Sequence, residues 1–287
     1  MEPGRPMPTL SQIILYPLKS ARGACVESGQ LNSSGLSGDR QWMLVTPDGE
    51  CVSQLVAHSL STVVCTMQPD GIRLEAKGHS PLDLSKQPRG ERTTRQVIME
   101  DGTDCQAEVA GTEYDQWFSS VLGMECHLVL CPRELNRRVE GEGELFRFQK
   151  TFPIHLATEA SLDELNGRLE QKVSMDRFRP NLVLSGTAPF EDDQWKRIQI
   201  GEAVLQFSRA CDHGCGLSNI HQETGVMGPE PLRTLATYRR ANRGIYFGQN
   251  VTVEVPGQIN VGDEVVILEY GEGLTDRVSK GTENPRP

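Results

Sequence analysis

No stretch of this 287-residue chain approaches 18 consecutive apolar side chains, so no segment has the length to cross a bilayer as a helix. The N-terminus, MEPGRPMPTLSQ, lacks the apolar core of a secretory signal and the arginine-rich amphipathic pattern of a transit peptide. Basic residues are outnumbered: 29 Lys and Arg face 39 Asp and Glu, a net charge of −10. That balance argues against a polyanion-binding surface and against nucleic acid as a partner, so any anion site has to be local. No internal repeat is present. The eight cysteines (25, 51, 65, 105, 126, 131, 211 and 215) are even in number but scattered through a long chain without a signal. Scattered thiols of this kind are expected to be reduced, which places the protein in the cytoplasm.

Short apolar runs make up most of the chain. Residues 8–16 read as a strand ending at Pro17, followed by a turn with two cations and a hydroxyl, Lys19, Ser20 and Arg22. Runs at 25–28, 42–45, 62–67, 72–76 and 96–99 keep the rhythm, with turns at Pro47-Asp48-Gly49, Asp70-Gly71 and Asp101-Gly102. This spacing predicts a barrel or sandwich rather than a βαβ array. Residues 112–122 break the pattern: Tyr114, Trp117, Phe118 and Val121 share one helical face, and Thr112 is the expected N-cap. In the second half, Ser161 and Glu164 stand in capping-box register ahead of Leu162, Leu165 and Leu169. A hairpin is expected across Gly201-Glu202, joining 195–200 to 203–207. The predicted class is mainly β with a few helices (α+β). The expected divisions are a β-rich domain at 8–132, a linker at 133–149, a second β domain at 150–270 and a disordered tail at 271–287.

The chemistry concentrates at Arg209–Arg240, where Cys211 and Cys215 stand four apart with Arg209 and His213 beside them. Thiolates are soft metal ligands and strong nucleophiles, activated by nearby cations. A zinc site would need four ligands, usually in two close pairs, and Cys126 and Cys131 lie in the other half. A Cys-His nucleophile lacks both a glycine elbow and an orienting acid. The other six cysteines, and His58, His79, His127 and His155, read as inert core or surface residues. Lys19, Arg22, Arg40, Arg177, Arg179, Arg209, Arg239 and Arg240 recur at strand ends and turns, as a phosphate site requires, though each alone reads as a solvated surface charge.

A set of short motifs then occurs in a fixed order: Tyr16-Pro17-Leu18-Lys19-Ser20, Gly38-Asp39-Arg40, Glu159-Ala160-Ser161-Leu162, Phe178-Arg179-Pro180-Asn181, Glu230–Leu235, Tyr238-Arg239, Phe247-Gly248-Gln249-Asn250 and Val261–Val265. From residue 8 to about 269 the chain resembles the MOSC family, named for the C-terminal domain of molybdenum cofactor sulfurases. Within it, the chain is most similar to reductases of N-hydroxylated bases and to amidoxime-reducing components. The resemblance implies a MOSC β-barrel domain beside an N-terminal β-rich MOSC domain, with a molybdopterin molybdenum cofactor between them. It implies that Lys19, Ser20, Arg40, Thr151, Arg179, Asn181, Cys211, His213, Tyr238 and Gln249 bind that cofactor, and that Cys215 ligates molybdenum and is catalytic.

The implied activity is reduction of small N-hydroxylated compounds, namely hydroxylamines, amidoximes and N-hydroxylated purines, in a detoxifying role. The alternative is a carrier of the cofactor, or of sulfur, without turnover. Pyridoxal phosphate binding is a further attribute associated with the family. Electrons would come from a separate protein of the flavin reductase, ferredoxin or cytochrome b5 type, because the ferredoxin-like extension of some bacterial members is missing. The motif also departs from the family pattern: Cys211-Asp212-His213-Gly214-Cys215 is one residue longer than Cys-Ser-Arg-Cys, and Ser218-Asn219 replaces two threonines.

Overall fold

The computed structural model describes residues 7–85, 93–132, 146–241 and 244–272, and the backbone of 137–138 and 145. The N-terminal strands are β1 (Thr9–Leu15), β2 (Ala24–Val26), β3 (Ser28–Asn32), β4 (Gly35–Leu36) and β5 (Trp42–Val45). Next come β6 (Val64–Gln68), β7 (Gly71–Glu75), β8 (Leu82–Ser85), β9 (Thr94–Ile98) and β10 (Asp104–Val109). Helix α1 (Thr112–Leu122) leads into β11 (His127–Leu130), then the short pair β12 (Arg137–Arg138) and β13 (Leu145–Phe146). The second half holds β14 (Ile154–Thr158), α2 (Glu159–Asn166), β15 (Leu182–Ser185), β16 (Trp195–Ile200) and β17 (Ala203–Asp212). It closes with α3 (Leu232–Leu235), β18 (Arg240–Ala241), β19 (Gly244–Val255), β20 (Gly257–Asn260) and β21 (Val265–Tyr270).

The main sheet follows the order β2-β1-β15-β14-β19-β17-β16-β21, with β18 paired to β19. This path is open, beginning at β2 and ending at β21, so strand pairing among the described residues closes no barrel. A lone bridge between Thr9 and Glu264, with Leu10 N–H donating to Asp263 O (2.9 Å) and Val265 N–H to Pro8 O (2.8 Å), draws β1 toward β21 without completing a ladder. The apolar side chains of these strands pack inside the sheet: Leu10, Ile13, Leu156, Leu184, Trp195, Ile198, Leu205 and Val253 belong to one buried cluster. A second cluster, around Trp42, Leu44, Leu60, Ile72, Phe118 and Leu128, forms between the smaller sheets and α1.

Sheet membership does not follow the division at residue 132. β1 and β2 belong to the main sheet, where β1 pairs antiparallel with β15, and β3 pairs with β20. Phe146, Phe148 and Gln149, in the expected linker, are buried, whereas 133–136 and 139–144 lie outside the described residues, as does the tail from 273. α1 occupies the predicted span, but Gly111 rather than Thr112 is its N-cap. α2 starts earlier than its pattern suggests: the cap is Thr158, whose Oγ1 accepts from the Ser161 N–H at 3.3 Å.

Candidate functional site

Among the described residues, four other than glycine have positive φ, and three of them are predicted ligands: Ser20 (69°), Arg40 (45°) and Arg179 (56°). Such left-handed backbone costs about 1–3 kcal/mol per residue and persists only where surrounding contacts impose it. Here those contacts centre on Tyr16, at the end of β1. The Arg40 guanidinium carbon lies 4.5 Å and that of Arg179 4.2 Å from the Tyr16 ring centroid. Arg40 pairs with buried Asp39, and its Nη1 donates to Asn181 Oδ1 at 3.0 Å. Asp39 Oδ1 accepts from the Tyr16 N–H (2.9 Å) and from Asn181 Nδ2 (3.1 Å). Asn181 itself bridges β1 to β14, donating from Nδ2 to Ile14 O (3.2 Å) and from its backbone N–H to His155 O (2.7 Å).

Arg179 is buried and reaches into a chain of amides. Its Nη1 donates to Ala21 O at 2.8 Å and, more weakly, to Gln222 Oε1 at 3.4 Å. Gln222 is hydrogen bonded to Gln54, which donates to Ser20 O at 2.6 Å. Arg179 Nη2 is buried without a hydrogen-bond partner among the described residues. Burial, followed by the neighbouring Arg40 charge, lowers the guanidinium to about 10, against the pull of Tyr16 and Asp39. An orphaned N–H on a buried cation is costly unless an acceptor arrives from outside the protein. A phosphate or pterin oxygen is an acceptor of that kind.

The other predicted ligands are placed less uniformly. Lys19 is buried, and its Nζ donates to Phe148 O (2.7 Å) and pairs with Glu100 (3.0 Å). Burial acts to raise the Glu100 carboxyl, but the Lys19 ammonium outweighs it and holds the group below its ordinary range. Thr151 is partly exposed in the segment before β14. Gln249 is buried on β19 and donates to Asp193 Oδ1 at 2.7 Å, where Arg239 also forms a two-pronged pair (2.7 and 3.0 Å). The Tyr238 ring carries the Arg168 guanidinium at 4.0 Å.

Beside the Asp193–Arg239 pair, burial and the Asp193 charge raise Asp192 to about 7, against the pull of Arg239. A carboxyl raised on folding contributes stability that is present below about pH 4 and is lost as pH climbs through about 7. Relative to the parent chain, Asp192→Asn is therefore expected to gain Tm as pH rises, by at least ~2–4 °C more at pH 8 than at pH 3.5, the equivalent of roughly 1 kcal/mol in a chain of this size. Equal Tm differences at both pH values in thermal melts would exclude a titrating Asp192.

The thiol stretch begins on β17, which runs on through Cys211 to Asp212. The β17–β19 register shifts between Ala210 and Asp212, opposite Phe247 and Gly248. That irregularity sets Cys211 beside His155, on β14 two strands away, and His213. One ligand atom from each of these three residues lies within 4.8 Å of the others. Burial pushes the Cys211 thiol up to about 12, aided by Cys215 and Asp212, and lowers His155 to about 3 and His213 to about 4. Cys215 is exposed in the turn that follows. Cys215 is therefore the more open of the two sulfurs, Cys211 being half-buried. Sequence reasoning dismissed His155 as inert and missed Asp39, Gln54, Gln222 and Tyr16 as organisers; the positive φ of their neighbours is not a sequence signal.

Comparison with known proteins adds a second line of evidence. Residues 7–125 match the MOSC N-terminal beta barrel domain and residues 144–266 match the MOSC domain. The chain is 32% identical to mitochondrial amidoxime reducing component 2 of Rattus norvegicus over 281 residues, 90% of this chain and 82% of the relative. It is 33% identical to mitochondrial amidoxime-reducing component 1 of Homo sapiens over 283 residues, 91% and 83% of the two chains. With molybdenum cofactor sulfurase of Oryza sativa subsp. japonica, identity is 32% over 275 residues, covering 83% of this chain and 32% of that protein.

Proposed function

The chain belongs to the MOSC-domain family, and from that premise we propose that it is a molybdenum-cofactor-dependent reductase of N-hydroxylated compounds. The observation that carries the reading is Arg179: a buried guanidinium with one nitrogen unpartnered among the described residues, in strained backbone, beside a second guanidinium. Such a pocket suits an anionic ligand with further polar edges. Arg179, Ser20 and Arg40 would hold the phosphate and pterin, with Asn181 fixing Arg40 in place, and Cys215 would ligate the metal. Lys19 and Gln249, already engaged by Glu100 and Asp193, would join by exchanging partners. When bound, the cofactor supplies two-electron oxygen-atom chemistry. The net change, N–OH with two electrons and two protons giving N–H and water, draws its electrons from a separate donor protein of the flavin reductase, ferredoxin or cytochrome b5 type.

Among the described residues no helix is long and apolar enough to cross a membrane. The cytoplasmic expectation gains no support from the relatives, whose names include mitochondrial proteins. Pyridoxal phosphate finds no support in those names either.

The test is to make the chain in a host competent for molybdopterin and measure molybdenum, pterin fluorescence and oxidation of a reduced viologen on addition of benzamidoxime. Bound pterin with turnover is expected, and Arg179→Met should lower pterin occupancy by roughly 10-fold or more, the worth of a charge-assisted hydrogen bond. Pterin without turnover would make the chain a carrier. Absence of both pterin and molybdenum would refute the cofactor reading.

A further inference from the structure

His155 carries a contradiction that the cofactor pocket does not resolve. Its Nδ1 lies 3.1 Å from Phe178 O and its Nε2 3.2 Å from Phe247 O. A neutral imidazole has one N–H, so whichever nitrogen holds the proton, the other turns its lone pair toward a carbonyl that cannot donate. Protonating both nitrogens would satisfy both carbonyls, but the ring is buried and burial opposes the charge. His213 is satisfied: its Nε2 meets the same Phe247 O at 3.1 Å, and its Nδ1 faces the Ser218 hydroxyl at 3.0 Å. Cys211 Sγ has no hydrogen-bond partner among the described residues. A buried lone pair, a sulfur without a partner and a second imidazole thus converge within 4.8 Å.

We propose that His155, Cys211 and His213 form a site for a borderline transition-metal dication of the zinc class, separate from the thiolate at Cys215. A tetrahedral zinc ion holds N and S ligands at about 2.0–2.3 Å, hence roughly 3.3–3.6 Å from one another. The observed spread exceeds this by little more than about 1 Å, within reach of side-chain rotation. Two neutral imidazoles and one thiolate are the nitrogen–sulfur set that such an ion favours over magnesium or calcium. The carbonyls of Phe178 and Phe247 stand where an outer shell would orient the rings. Binding would expel the Cys211 proton to solvent and leave a fourth position for water.

Gly248 is part of the same arrangement. Its φ is +69°, and a Cβ there would lie 2.6 Å from His155 Nε2 and 2.4 Å from Leu156 O. Only glycine lets β19 pass so close to the imidazole. In the sequence, zinc is a weak reading because no second close ligand pair lies near the thiol stretch. His155 lies 56 residues before Cys211 and reaches the site through the pairing of β14 and β17 with β19.

The test uses the full chain made in a host unable to synthesise molybdopterin, so the outcome is independent of what Cys215 does toward molybdenum. After dialysis against zinc and gel filtration, about one equivalent is expected to remain. Replacement by cobalt(II) should give an intense sulfur-to-metal charge-transfer band. Cys211→Ser and His213→Gln, each first shown to melt cooperatively, should lower zinc retention by more than about 10-fold, and Cys211→Ser should abolish the cobalt band. Cys215→Ser should keep both metal and band. If the parent chain retains no zinc and shows no cobalt band, the proposal fails, whatever the variants do. It fails equally if the band survives Cys211→Ser or disappears only with Cys215→Ser.

Discussion

Replacing Cys215 with alanine is expected to reduce N–O bond reduction to the background rate by removing the protein's own ligand from molybdenum, with little change in Tm. The expectation combines exposure with chemistry. Cys215 is solvent-exposed in the turn after β17, so its removal should change stability by no more than about 0.5 kcal/mol. Cys211, four residues earlier, is half-buried beside His155 and His213 and is a poor substitute ligand for a bulky group. Pterin should remain in Cys215→Ala, because the residues proposed to grip it lie around Tyr16 and Gln222 rather than at the turn. Elemental analysis, pterin fluorescence and viologen oxidation separate these effects. Full turnover in Cys215→Ala would end the assignment of this thiol.

The largest stability effect is expected at Arg40. Asp39 is fully buried and paired with it, with Tyr16 N–H and Asn181 Nδ2 as its other donors. Removing the guanidinium leaves a desolvated carboxylate without its counter-ion, a loss of about 3–5 kcal/mol in comparable buried pairs. At roughly 2–4 °C per kcal/mol, Arg40→Met should lower Tm by about 6–20 °C. Adding Asp39→Asn should recover part of that loss, because the amide can still accept from Tyr16 N–H and no longer buries a charge. A drop of under about 1 kcal/mol for Arg40→Met, or no recovery in the double variant, would show that the pair is solvated.

Local patterning made several features legible. The apolar face of Tyr114, Trp117, Phe118 and Val121 marked α1, and the Gly201-Glu202 turn marked the β16–β17 hairpin, although β17 runs five residues further than the apolar run, to Asp212. Caps were harder to read: Thr112 and Ser161 have the right chemistry, but Gly111 and Thr158 hold those positions, since cap identity depends on where the preceding chain turns. The basic motifs pointed to Arg40, Arg179 and Asn181, which the fold does gather. That Lys19 faces Glu100 and Gln249 faces Asp193 depends on contacts across 81 and 56 residues, which no local window contains. His155 is the clearest loss: a single histidine in an apolar strand looks inert until its neighbours two strands away are known.

The placement of β1 has a consequence for how the protein is made. The first strand to leave the ribosome pairs early with β2 along one edge, but the partner for its other edge, Leu182–Ser185, emerges more than 160 residues later, and its tie to Asp263 and Val265 forms only near the end of synthesis. The nascent chain must therefore carry one edge of β1, and the core side chains Leu10 and Ile13, without their partners from the second half through most of translation, a slow, non-local closure that favours chaperone binding. For the same reason, a fragment starting after residue 132 would present the bare rim of β15 to other molecules. Cutting the gene at the apparent halfway point should yield aggregates rather than two soluble pieces.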